Sequence, residues 1–159
     1  MMKLLVVLGE GGHTKEMLEL VDSLGPRYRY VYLLVKGDEL SQHRIRLPGA
    51  VYRVQRPRYK VHNVIMDSAK TVVCAAQALW VLMRERPRAV VTCGPGVAVP
   101  VCLLAKLLGI AVVFIETGSR VRRLSTTGRT LYRFADLFLV QWSELLASHP
   151  KAIYAGRFW

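Results

Sequence analysis

The chain has 159 residues, of which 52% are hydrophobic and 21% charged; this excludes a disordered or fibrous polymer and suits one ordinary globular domain. Lys and Arg number 23 against 11 Asp and Glu, a formal net charge of +12, which favours anionic partners: phosphorylated substrates, an anionic bilayer surface or nucleic acid. Cys74, Cys93 and Cys102 lie in apolar segments without metal-ligand or disulfide spacing, so they read as buried reduced thiols with no metal site.

In chain order, residues 3–8 open on Lys3 and run apolar from Leu4 to Leu8 before Gly9 closes them, as expected of a strand buried on both faces of a parallel sheet. A helix is predicted over residues 13–24, with Met17, Leu18, Val21 and Leu24 on one face and Gly25-Pro26 ending it. Strands follow at 28–35 and 50–54, then a loop over 55–62 with Pro57 and four basic residues. Residues 64–84 carry a helical pattern closed by Pro87. Residues 89–92 are a buried strand, 97–108 a helix stopped by Gly109, and 111–115 a strand ending at Glu116. A basic loop, a short helix near 130–134 and a strand at 137–140 complete the main pattern, and the tail is expected to hold one short helix and a strand at 152–154. Strands alternating with helices imply right-handed crossovers and a doubly wound α/β sheet in a single domain, 1–159.

The pattern predicts no membrane-spanning helix. The first apolar run is too short, residues 64–83 are interrupted by Asp67, Lys70 and Gln77, and residues 97–115 contain Pro100, Lys106 and Gly109. A surface-lying helix over 64–83, with Trp80 and Leu82 entering the interface, stays open beside plain core packing.

Ligands of such sheets bind at the carboxyl ends of the strands, where three loops are chemically distinctive. Gly9-Glu10-Gly11-Gly12-His13-Thr14 joins the first strand to the first helix; its glycines allow close backbone approach, and the free amides at a helix start favour an anion. The spacing is neither G-x-G-x-x-G, because Thr14 occupies the third glycine position, nor a P-loop, because no Gly-Lys-Ser/Thr follows. A nucleotide cofactor is therefore disfavoured, and no other cofactor is implied. Gly94-Pro95-Gly96 offers a second amide-lined turn, with helix capping as the plain alternative. Glu116-Thr117-Gly118-Ser119-Arg120, followed by Arg122, Arg123, Ser125 and Arg129, places a carboxylate beside hydroxyls and guanidinium groups, a set suited to sugar hydroxyls and phosphate oxygens. A surface ion-pair cluster is the plain alternative for that third loop, but it would not require the strand-end position of Glu116.

These segments carry a resemblance. Gly-x-Gly-Gly-His-Thr near the start looks like the opening motif of the acceptor-side half of B-type glycosyltransferases. The run 89–109 (AVVTCGPGVAVPVCLLAKLLG), then 114–120 (FIETGSR), 135–142 (ADLFLVQW) and 152–157 (AIYAGR), together closely resemble the membrane-anchoring subunit family of the two-part UDP-GlcNAc transferase of the dolichol pathway and its bacterial and archaeal relatives in polysaccharide synthesis. A weaker likeness is to the amino-terminal domain of the peptidoglycan lipid-intermediate GlcNAc transferase.

The resemblance implies a Rossmann-like doubly wound parallel sheet, the N-terminal half of a GT-B glycosyltransferase. It implies a split enzyme, in which a separate small chain binds the UDP-sugar and this chain, inactive alone, binds a polyprenyl-diphosphate-linked sugar acceptor at the cytoplasmic face of a membrane. On this reading Gly11, Gly12, His13 and Thr14 hold the acceptor diphosphate, with Gly94, Gly96, Ser119, Arg120 and Arg58 assisting. Glu116 or His13 is the base that takes the acceptor proton. Family members usually begin with a spanning helix; here a peripheral or monotopic attachment to an anionic membrane surface is expected instead. Trp80, Arg122, Arg123, Tyr154, Phe158 and Trp159 are the expected membrane or partner contacts. A basic nucleic-acid-binding protein and a stand-alone nucleotide-binding enzyme are the other two readings. Tyr52 and Tyr59 with nearby arginines fit a base-stacking stripe only loosely, so no nucleic-acid partner is expected.

Overall fold

A computed structural model describes residues 1–57 and 64–157, with residues 64–67 described by backbone alone. The elements are β1 (Lys3–Val7), α1 (Gly12–Leu24), β2 (Arg29–Val35), α2 (Glu39–His43), β3 (Gly49–Val54), α3 (Val64–Glu85), β4 (Ala89–Thr92), α4 (Ala98–Leu107), β5 (Ala111–Ile115), α5 (Thr126–Leu131), β6 (Leu137–Val140) and β7 (Ile153–Tyr154). All seven strands are parallel and lie in one sheet, in the order β3-β2-β1-β4-β5-β6-β7. The chain starts in the centre, winds outward to β3, then returns to β4 and winds the other way. This reversal places the carboxyl ends of β1 and β4 side by side, with Val7 opposite Thr92, and the crevice between their loops is where such sheets bind ligands.

Strand alternation explains the two cores. Leu5 and Val7 join Val90, Val112 and Phe114 under α3 and α4 on one face. Leu4, Val6 and Leu8 meet Met17, Leu18 and Val21 of α1 on the other. Phe114 and Phe138 stack at 4.8 Å between ring centroids. The three cysteines are free and buried in this packing.

Strands β4, β5 and β6 fall on their expected bounds. Two helices depart from expectation. Helix α2 is additional: Asp38 accepts the Ser41 amide at 3.1 Å and starts a turn that carries little apolar pattern. Helix α5 begins earlier than residues 130–134, because the Ser125 hydroxyl accepts the Gly128 amide at 2.9 Å and caps it there. Leu82, considered for a membrane face, lies in the core, while Val72, Val73, Trp80 and Met83 of the same helix are exposed. Among the described residues, no helix is long and apolar enough to cross a membrane.

At the amino ends of the strands, Lys3 donates to the Glu85 carboxylate at 2.8 Å and to the Glu85 carbonyl at 2.7 Å. Tyr52 donates to the other carboxylate oxygen at 2.5 Å, so one side chain ties β1, β3 and the end of α3. The Lys3 hydrogen bond, assisted by Tyr52, holds the Glu85 carboxyl below its ordinary value of 4.5. An acid lowered in this way stabilises the fold above its unfolded value and loses that contribution as pH falls through its folded one. Glu85→Gln is therefore expected to cost about 1–2 kcal/mol in urea unfolding near neutral pH. The gap from wild type should close as the pH is taken below 4.5.

Candidate functional site

The first loop leaves β1 at Leu8 and enters α1 through Gly11, whose φ of +66° requires glycine. Gly11 and Gly12 are exposed, and α1 carries no side-chain cap at its start, so its first amides are presented outward. Thr14 is expected, with Gly11, Gly12 and His13, to hold the diphosphate; its hydroxyl is engaged inside the protein. It is fully buried, donates to the Gly9 carbonyl and sits 2.9 Å from the Ser41 hydroxyl. Ser41 also donates to the Gly9 carbonyl at 3.3 Å. Thr14 and the unforeseen Ser41 thus brace the loop from behind.

The second loop packs directly on the first. A Cβ on Gly9 would lie 2.4 Å from Cβ of Pro95, so only glycine allows this approach. Gly94 has φ +97° and faces the Phe114 ring. Between the two loops opens a cavity of about 330 Å³ lined by Gly9, His13, Arg56, Gly94, Pro95 and Gly96, among others. Gly94, Gly96 and His13 are therefore brought together as expected, and Arg56 supplies the cation at the cavity wall, ion-paired with Glu10. Sequence reading favoured Arg58, which lies outside the described residues; both belong to one basic segment, and only the course of the chain after β3 distinguishes them.

His13 is half-buried at the cavity edge. Its carbonyl accepts the Cys93 thiol at 2.8 Å, and its Nδ1 is 3.8 Å from the same sulfur. Burial, with the negative charge of Glu16 second, pushes the Cys93 thiol far up, so it stays protonated and serves as a donor.

Glu116, expected as a possible base, does not reach this cavity. Its side chain is fully buried. One carboxylate oxygen accepts the Thr117 amide at 3.1 Å; the other accepts the Ser125 amide at 3.0 Å and the Ser125 hydroxyl at 3.2 Å. Gly128 lies against it so closely that an added Cβ would sit 2.1 Å from the second oxygen. Burial raises its carboxyl above the ordinary range, opposed by these hydrogen bonds and by Arg120. The arrangement folds residues 117–125 back onto β5 and anchors the start of α5.

The third loop meets α1 on its flank rather than in the cavity. Thr117 donates to Glu16 at 2.8 Å, and its hydroxyl is 3.3 Å from that of Ser119. Ser119 and Arg120 are exposed beyond it, as are Arg122 and Arg123. Glu16 was missed by sequence reading, although it stands one helical turn after His13 and so shares its face.

The remaining expected contacts are peripheral. Trp80 is exposed, edge-on to Tyr52 at 5.8 Å with the Arg84 guanidinium 5.3 Å from its ring centroid. Tyr154 is exposed on the edge strand β7. Phe158 and Trp159 lie outside the described residues.

With this geometry in hand, comparison with known proteins is direct. The family described as "Oligosaccharide biosynthesis protein Alg14 like" matches residues 4–158. The UDP-N-acetylglucosamine transferase subunit ALG14 of Mus musculus is 34% identical over 180 residues, covering 98% of this chain and 82% of the relative. Its counterpart in Schizosaccharomyces pombe is 32% identical over 171 residues, covering 96% and 81%. The crystal structure of Acinetobacter baumannii MurG superposes with a TM-score of 0.76 at 19% identity, over 91% of this chain but only 43% of its own. The fold is thus the Rossmann-like N-terminal half of a GT-B glycosyltransferase. By the near-complete family match and the identity to these relatives, the chain belongs to the Alg14-like family of oligosaccharide biosynthesis proteins.

Proposed function

We propose that this chain is the acceptor-binding and membrane-recruiting subunit of a heteromeric glycosyltransferase. The enzyme moves GlcNAc from a UDP-sugar to a polyprenyl-diphosphate-linked saccharide. The observation that carries the reading is the cavity shared by the first two loops at the β1/β4 reversal, where His13, at the start of α1, and Arg56 meet Gly94 and Gly96. Amides at a helix start and a guanidinium suit a diphosphate. The family match and the names of the relatives support the transferase class.

In this reading Gly11, Gly12, Gly94, Gly96 and Arg56 hold the acceptor diphosphate, with Arg58, Ser119 and Arg120 at its margin. The acceptor hydroxyl oxygen bonds to the anomeric carbon as the bond from that carbon to UDP breaks, with inversion, and the hydroxyl proton passes to His13. A separate small chain supplies the UDP-sugar site, so this chain, contributing the acceptor-side domain, is inactive alone. Attachment is peripheral, at the cytoplasmic face. The exposed Val72, Val73, Trp80 and Met83 of α3 dip into the interface. Basic residues near an anionic leaflet, Arg84, Arg122 and Arg123 among them, add about 1 kcal/mol each. Tyr154, with Phe158 and Trp159, contacts the partner.

Reconstitution tests the proposal. The chain is mixed with its nucleotide-sugar-binding partner, UDP-GlcNAc and a polyprenyl-diphosphate-GlcNAc acceptor, and lipid-linked product is followed by chromatography. Transfer is expected only with both chains present. Turnover by this chain alone, or none from the pair, would defeat the reading.

A further inference from the structure

We propose that Glu16 is a positioning residue for the transfer step: held by Thr117, its carboxylate is the charge partner that receives the imidazolium of His13. The inference rests on the acceptor-side reading above and deepens it, because it assigns a role to a carboxylate outside the cavity lining. Three observations support it. Glu16 follows His13 by one helical turn on the same face of α1, and the positive charge of His13 is felt at its carboxyl. Its Oε1 accepts the Thr117 hydroxyl at 2.8 Å, across 101 residues of sequence, so its rotamer is fixed by the third loop. Its Oε2 is buried and has no hydrogen-bond partner among the described residues.

That last feature separates Glu16 from Glu116. Glu116 has both oxygens satisfied by the loop it anchors. A buried carboxylate oxygen left without a donor costs stability. The ring N–H created when His13 takes the acceptor proton is a donor one turn away. The backbone of His13 is meanwhile pinned by the Cys93 thiol.

Every charged group around Glu16 bears on its titration. Burial raises its carboxyl; the Thr117 hydroxyl, His13 and the Gly118 amide lower it, and Glu19 on α1 raises it. The Cys93 thiol, in the loop after β4, is within reach of the Glu16 charge and remains neutral. Beyond Thr117, Glu116 just after β5 lies in the field of Arg120, which lowers its carboxyl.

Two experiments decide the matter. In the reconstituted pair, Glu16→Gln is expected to lower kcat about tenfold or more, with acceptor KM within about twofold. Thr117→Val, which frees the Glu16 carboxylate from the third loop, should lower kcat in the same way by less. In the full chain alone, carboxyl carbon NMR should place the Glu16 midpoint above 4.5. His13→Ala, which removes a lowering charge, should raise it further. A loss of kcat no larger than the loss of thermal stability accounts for would make Glu16 merely structural and overturn the proposal. A Glu16 midpoint unchanged by His13→Ala would overturn it as well. The NMR arm needs no turnover, so a failed transferase reading and a failed pairing are told apart.

Discussion

Replacing His13 with alanine is expected to cut kcat of the reconstituted transferase by about 10²–10⁴-fold, the usual contribution of a positioned general base. His13 is half-buried at the edge of the cavity between the two loops, its backbone fixed by the Cys93 thiol. The ring leaves the helix at its first turn, so alanine should leave α1 intact, and thermal unfolding should shift by only a few degrees. Acceptor KM should change little, because in the proposed reading backbone amides and a guanidinium that the substitution does not touch hold the diphosphate. Initial rates over a range of acceptor concentrations read both quantities. Full activity in His13→Ala would remove His13 from the chemistry.

Glu116→Ala is expected to fail in another way. It strands the Thr117 and Ser125 amides and the Ser125 hydroxyl, all now accepted by one carboxylate. Leaving buried donors unmade should cost about 3 kcal/mol or more, read by urea unfolding of the isolated chain. Because burial holds the Glu116 carboxyl above its ordinary 4.5, the desolvation cost is borne in full at neutral pH. It is relieved as pH falls toward the ordinary value, where the folded chain alone takes up the proton. Activity should fall with the loss of loop order, without a change in the pH profile. An unchanged unfolding midpoint together with a large loss of kcat would return Glu116 to the role of base.

The contrast between these two residues marks what the sequence could disclose. Short unbroken apolar runs between turn or polar residues identify strands of the sheet, and so β4, β5 and β6 were legible to the residue. The strand-end positions of the glycine loops followed from them, which is why Gly94, Gly96 and His13 were placed together correctly. Helix α2 was not legible, since it rests on one Asp38 cap and a packed hydroxyl rather than on apolar spacing. Glu116 was found as a strand-end carboxylate, but its burial depends on Ser125 folding back nine residues later. Thr14 was read as a ligand contact because its partner Ser41 belongs to that unforeseen helix. Glu16 carries no local signal beyond its spacing from His13; what distinguishes it is a contact made by a residue of a distant loop.

The bracing of the first loop also bears on the thermodynamics of recognition. With the Gly9 carbonyl accepting both Thr14 and Ser41, and Pro95 pressed against Gly9, the cradle is set before any anion arrives. An acceptor entering it loses little backbone entropy on the protein side. Affinity should therefore reside in contacts made rather than in order acquired. Loosening the brace, for example through Ser41, should weaken binding chiefly through an entropic penalty that calorimetry can separate from the enthalpy of the phosphate contacts.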